Sequence, residues 1–177
     1  MLETQFIGSS RSTATERARL VELLTAAPAA LDESALIDLL FAQAPARLGL
    51  DVCFTYRADL DRQMLHVLCV RGLDPVMRDA LDGLAFGEFL CGRVARDRRP
   101  VVMRDIGHST DPACAAARKL SLGSYCGFPM IAPDGKLFGV AAFASRSRRW
   151  FHDDEVAMFS DLAAEIGLRR LRRKAAA

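Results

Sequence analysis

Residues 124–145, SYCGFPMIAPDGKLFGVAAFAS, restrict the fold more than any other stretch of the chain. Two apolar runs flank Pro133-Asp134-Gly135, a turn sequence. Apolar runs of strand length on either side of a turn signal predict a β-hairpin. An antiparallel sheet must then be built around it. A second hairpin is predicted upstream. In DVCFTYRAD (51–59), Val52, Phe54 and Tyr56 fall on one side and Cys53, Thr55 and Arg57 on the other, the alternation of a strand. LDRQ supplies a turn, and QMLHVLCVRG (63–72) is apolar on both sides, the pattern expected of a central strand. PVVMRD (100–105) adds a short strand.

Helices are predicted around these strands. Thr13 and Glu16 fit a capping box, in which the glutamate reaches back to the cap. Leu20, Leu23 and Leu24 follow as an apolar stripe that Pro28 ends. A second helix starts near Asp32, with Leu36, Leu39 and Leu40 on one face; Pro45 kinks or shortens it and Gly49 closes it. Asp74-Pro75 and Asp111-Pro112 each open a short helix, with aspartate as cap and proline in the first turn; Gly123 ends the second. One or two helical turns are expected from Gly87 to Arg96, and Asp153 caps a last helix running to about Lys174. The order α-α-β-β-α-α-β-α-β-β-α is an α+β fold with a mostly antiparallel sheet. It divides into an N-terminal helical extension, 1–31, and one domain, 32–174.

The chain has 177 residues, 51% of them hydrophobic, enough for one domain with a sizeable core. No apolar run reaches the roughly 18 residues a membrane span needs. The start, MLETQFIGSS, has neither a basic n-region nor an apolar h-region, so it does not look like a signal peptide. A cytoplasmic protein with no membrane partner is expected. The five cysteines are widely spaced with no Cys-x-x-Cys, which disfavours zinc, thioredoxin and cluster sites. Cys53 and Cys69 are expected to be small buried hydrophobes. Net charge is +2, and no nucleic-acid partner is expected. The basic runs RSRRW (146–150) and RRLRRK (169–174) are local; the second is expected to favour the negative end of the last helix and to keep it soluble.

CGRVARDRRPVVMRDI (91–106), the Asp111-Pro112 step, the hairpin at 124–145 and RRWFHDDEVAMFSDLAAEIGLRRL (148–171) together resemble a GAF domain, over roughly 80% of the chain from about Asp32 to Arg172. The resemblance implies a GAF/PAS-like central antiparallel sheet flanked by helices on both faces. The terminal helices would pack on one face and often form a parallel dimer. The other face would hold a ligand under loops and short helices. It further implies a bacterial sensory module that signals to an output domain or partner, with no catalytic residues and no assigned cofactor or metal. On the last helix, Val156, Phe159, Leu162, Ala163 and Ile166 form one stripe; Ala164, Leu168 and Leu171 form a second. One stripe docks on a sheet, and the other needs a further partner.

The expected ligand is a small organic or amino-acid-like effector. Its pocket would draw on Phe86, Phe89, Cys91, Met103, Asp105, Tyr125 and Phe128, with Asp105 and Tyr125 as the polar groups, because small-ligand sites combine apolar walls with a few placed polar atoms. Cys91-Gly92 would begin the helix covering the pocket, with Val94 and Ala95 inward and Arg93, Arg96, Arg98 and Arg99 in water. At a helix start, the thiol pKa of Cys91 would be lowered. A ligand-free dimerisation module is the alternative.

Four sharper readings are weaker. Free methionine-(R)-sulfoxide reductases, a related branch, have cysteines where this chain has Cys91 and Cys114. Their third would fall near Leu81, and the carboxylates of their last strand are missing from GVAAFAS. No cysteine adjoins a histidine as bilin attachment requires. The Asn-Lys of cyclic-nucleotide-binding relatives is replaced by Ser145-Arg146. His66, on the expected central strand, is a minor candidate for haem iron.

Overall fold

A computed structural model describes residues 15, 18–23, 25–28, 31–44 and 48–175. The Thr13–Glu16 box, Leu24 and Pro45 lie outside the described residues. Residues 18–23 are helical, and Leu20 is buried. Helix α1 (Glu33–Gln43) starts where Asp32 accepts a hydrogen bond from the Ala35 N–H at 2.8 Å, satisfying a donor that has no helical partner. It buries Leu36, Ile37 and Leu40.

Six strands follow: β1 (Val52–Asp59), β2 (Met64–Arg71), β3 (Leu84–Ala85), β4 (Val101–Met103), β5 (Ser124–Ile131) and β6 (Leu137–Ser145). They form one sheet in the order β3-β2-β1-β6-β5-β4. Each pairing is antiparallel. The β5–β6 hairpin forms as the sequence predicts. The central strands, however, are β1 and β6 rather than β2. The short β3, which the sequence pattern missed, pairs only with Met64 and Leu65. Beyond it, the Asp82 carboxylate accepts from the Val67 N–H at 2.7 Å, blunting an edge that would otherwise offer free donors.

Strand alternation splits the apolar residues between two cores. Val52, Phe54 and Tyr56 enter one and Cys53 the other; Tyr125 enters the first, and Cys126, Phe128 and Met130 the second. The second core lies under α1 and α5 (Asp153–Ala175). Met158, Phe159, Leu162, Ala163 and Ile166 of α5 are buried, and the Phe159 ring stacks on Phe143 with centroids 4.8 Å apart. Each large apolar side chain so buried contributes about 1.5–3 kcal/mol. Ala164 and Leu168 are exposed and Leu171 half-buried, so the second stripe stays off the sheet.

The first core lies under α3 (Phe89–Asp97), α4 (Ala115–Lys119) and the 3-10 turns Ile106–His108 and Pro112–Cys114, while α2 (Pro75–Asp79) stands exposed beside it and buries no residue. Asp74 caps α2, and Asp111 accepts from the Ala113 N–H at 2.9 Å, as the Asp-Pro pairs predict. The cap of α5 differs from expectation. Glu155 reaches back to the His152 N–H at 2.8 Å, which is the glutamate half of a capping box; Asp153 is the first helical residue and pairs with Arg104 at 3.0 Å. Among the described residues no helix is long and apolar enough to cross a membrane.

Candidate functional site

Chemistry-bearing side chains gather beneath α3. Its start is held tightly: the Gly87 N–H donates to the Gly92 carbonyl at 2.7 Å, and the Gly92 N–H to the Glu88 carbonyl at 3.0 Å. A Cβ on Gly92 would collide with the Ala85 carbonyl oxygen, so only glycine lets the helix approach this strand. Phe89 enters the helix with φ +49°, a left-handed conformation costing about 1–3 kcal/mol for a residue with a side chain. Val94 and Ala95 point inward as expected. Arg93 does not simply face water; it donates two hydrogen bonds to Asp111, at 2.6 and 2.9 Å, fastening α3 to the turn before α4.

Cys91 is buried, with its Sγ 3.2 Å from the Tyr125 hydroxyl. The Tyr56 hydroxyl is its other polar neighbour. Burial pushes the thiol up to about 11, against the smaller opposing effect of the two hydroxyls. The expected lowering by the helix start is therefore overturned: removal from water decides. Burial, with Cys91 adding to it, also raises both tyrosines well above their ordinary value. All three groups are neutral at pH 7.

Around them lies an apolar cavity of about 30 Å³. Its floor is Phe54 and Tyr56 from β1 and Tyr125 from β5; Phe89, Leu90 and Cys91 of α3 roof it. Leu81 and Leu84 close one wall, and Ala113, Ala116, Ala117, Leu120 and Leu122 the other. None of the described lining residues is charged. The space holds a water or two, and an organic ligand needs it to widen.

Of the seven residues expected here, Phe89, Cys91 and Tyr125 line the cavity, and Phe86 and Met103 pack against the same core. Phe128 does not belong. It stands three residues from Tyr125, on the opposite side of β5, in the core under the terminal helices; side chains on one strand share a face only at even spacing. Asp105 is also elsewhere. It sits at φ +49° before the first 3-10 turn, where Arg149 donates to it at 2.9 and 2.5 Å and His108 Nδ1 lies 2.9 Å away. These contacts, Arg149 first, hold its carboxyl down to about 2. It lines a separate open groove with His108, Arg118 and Arg149. Phe54 and Tyr56 were missed, although the β1 alternation places them on one face. The alanines near 113–117 carry no signal of a pocket wall.

The remaining chemical candidates are not among the described residues that line the cavity, although Cys114 belongs to the same core. Cys114, Cys53, Cys69 and Cys126 are buried free thiols. His66 lies 3.6 Å from Asp82 on β2, away from the cavity. Among the described residues no group of three or more His, Cys, Asp or Glu is placed to hold a metal ion.

Comparisons with known proteins bear on this architecture. No curated protein matches the chain in sequence. Solved structures match its fold. The GAF domain of a phosphoenolpyruvate-protein phosphotransferase from Coxiella burnetii is 21% identical, with 94% of this chain and 96% of that one covered and a TM-score of 0.74. The corresponding Acinetobacter domain is 18% identical over 93% and 96%, TM-score 0.69. A free methionine-R-sulfoxide reductase from Neisseria meningitidis, solved with its substrate, is 18% identical over 96% and 94%, TM-score 0.72. At these identities the likeness establishes the fold, which regulatory domains and enzymes share. A sequence model of the GAF domain matches residues 30–168. With the six-stranded antiparallel sheet and its helix-covered faces, that match settles the family: the chain belongs to the GAF domains.

Proposed function

We propose that this GAF domain is a regulatory sensor that takes a small, uncharged, mostly apolar effector into the cavity beneath α3, and that it is not an enzyme. The observation that carries this is the lining: two tyrosine hydroxyls and a thiol supply hydrogen bonds, and no described side chain there supplies a charge. A charged ligand group would lose its hydration there with no counter-charge, at a cost of several kcal/mol. An amino-acid-like effector is disfavoured on the same ground. Thiol catalysis is disfavoured because Cys91, pushed up to about 11, is not a thiolate at neutral pH.

The effector would enter at Phe89 and Leu81, both half-buried, and shift α3. Arg93–Asp111 ties α3 to the segment after β4, and Asp105–Arg149 and Arg104–Asp153 tie that segment to the start of α5. Movement of the roof thus has a continuous path to the terminal helix. A second copy covering Leu168 and Leu171 would make the signalling unit a homodimer that acts on an output domain or partner.

Benzyl alcohol is a suitable probe: neutral, aromatic and able to hydrogen-bond. Its titration, followed by amide chemical shifts, should saturate with the largest changes at Cys91, Tyr56 and Tyr125. Tyr125→Phe should weaken it by up to about tenfold, the size of one lost hydrogen bond. Unchanged affinity in both Tyr125→Phe and Tyr56→Phe would remove the site assignment.

A further inference from the structure

The basic run at the chain's end does more than sit in solvent. Arg169 pairs with Glu165 at 3.4 Å and donates to the carbonyls of Thr25, Ala27 and Pro28. Arg173 donates to the Leu31 carbonyl at 2.8 Å. These bonds dock the segment before α1 onto α5. Between them lies a cleft of about 350 Å³, with Glu33 and Leu36 of α1 on one side and Arg170, Arg173 and Lys174 of α5 on the other. Its size suits a small ligand, and it is separate from the cavity under α3.

Two groups in this cleft are poorly matched by the protein. Glu33 Oε1 is buried with no hydrogen-bond partner among the described residues, and an unpaired buried acceptor is costly. Arg170 is drawn inward over the Phe138 ring, 5.6 Å from its centroid, and donates one hydrogen bond, to the Tyr56 carbonyl at 3.1 Å. No carboxylate among the described residues lies within ion-pair distance of it. Gly139 makes this reach feasible, because a Cβ there would stand 3.0 Å from the Arg170 guanidinium. Burial lowers the pKa of Arg170, with Glu33 acting at longer range to raise it. The guanidinium carries five N–H donors in a fork that suits an oxyanion.

We propose that this cleft is a second binding site, whose ligand is a free aminoalkyl phosphate. The phosphate meets Arg170, Arg173 and Lys174, and the ammonium meets Glu33. Arg170, Arg173 and Lys174 face Asp32 and Glu33 across the cleft, with Arg169 paired to Glu165, which leaves one positive charge in surplus; an aminoalkyl phosphate, with close to one net negative charge, matches it, and an amino carboxylate, with none, does not. Such a ligand pairs the Glu33 carboxylate and supplies an anion to Arg170 in one molecule. It would also bridge α1 to α5, the two helices packed on the face opposite the first cavity, and so stiffen the output end of the domain.

O-Phosphoethanolamine is the probe, with monoethyl phosphate as the match lacking the amine. Calorimetric or chemical-shift titration should show saturable binding of the first and about tenfold weaker binding of the second. Glu33→Gln keeps the shape and should erase that preference. Lys174→Ala, on an exposed side chain, should weaken both compounds. Arg170→Met should abolish binding; thermal melts of each variant separate this from unfolding, and the other two variants keep the test open if it does not fold. Vesicles of phosphatidylethanolamine distinguish a lipid headgroup from a free ligand. No saturable binding of phosphoethanolamine, equal binding of the two phosphates, a preference that survives Glu33→Gln, or binding to vesicles alone would each overturn the proposal.

Discussion

At Cys91 two electrostatic effects compete. A position near a helix start favours the thiolate, and removal from water favours the thiol. Burial decides, and the residue becomes a neutral partner for Tyr125 rather than a nucleophile. At Asp105 exposure leaves the partners to decide. Arg149 and His108 hold its carboxyl down to about 2. A depressed folded-state pKa contributes stability that is fully present above the ordinary carboxyl value, about 3.9, and is lost as pH falls through the folded value. Wild-type stability measured by urea unfolding should therefore fall across pH 4 to about 2 by more than that of Asp105→Asn. The effect will be small because the pair is exposed. Identical pH profiles would show that the clamp contributes nothing. Residue-level legibility was uneven. That Tyr125 and Cys91 line the cavity is legible because polar or reactive groups stand out in apolar runs. Phe128 was misplaced although its odd spacing from Tyr125 was already in the sequence. Asp105 could not be placed, because its position depends on Arg149, which is 44 residues away.

Elements were read well where a local signal was complete. The Pro-Asp-Gly hairpin and the Asp-Pro helix starts needed no distant partner. The two-residue β3 has no periodicity to detect. Calling β2 central followed from its apolar run, but apolarity reports cover on the faces and says little about which strand lies alongside. At α5 the cap depends on Glu155, which bonds the His152 N–H and pairs with Arg148 at 2.7 Å while almost wholly buried. Losing this carboxylate removes both the cap of α5 and an ion pair largely shielded from water. Glu155→Ala should destabilise the domain by about 3 kcal/mol, read from chemical denaturation. A loss within the range of ordinary surface substitutions would show that the pair does not anchor α5.

For the whole molecule, one sheet separates two cores, with the candidate pocket in the first and α5 on the second. In the proposed function a ligand acts on one face and α5 responds on the other. Leu168, 45% exposed on α5, and its neighbour Leu171 are the proposed dimer contact. Leu168→Glu should convert a dimer to a monomer in sedimentation equilibrium without changing the thermal unfolding of the fold; a wild-type monomer would remove this contact from the account. Charge decides what the proposed pocket accepts. A charge-free pocket should choose the neutral member of a matched aromatic series, because neither sign of charge finds a partner inside it. The most direct test is one chemical-shift titration run with benzyl alcohol, benzoate and benzylamine. Benzyl alcohol alone should move the amides of Cys91, Tyr56 and Tyr125. Equal or larger shifts with benzoate or benzylamine, or no shift with any of the three, would contradict it.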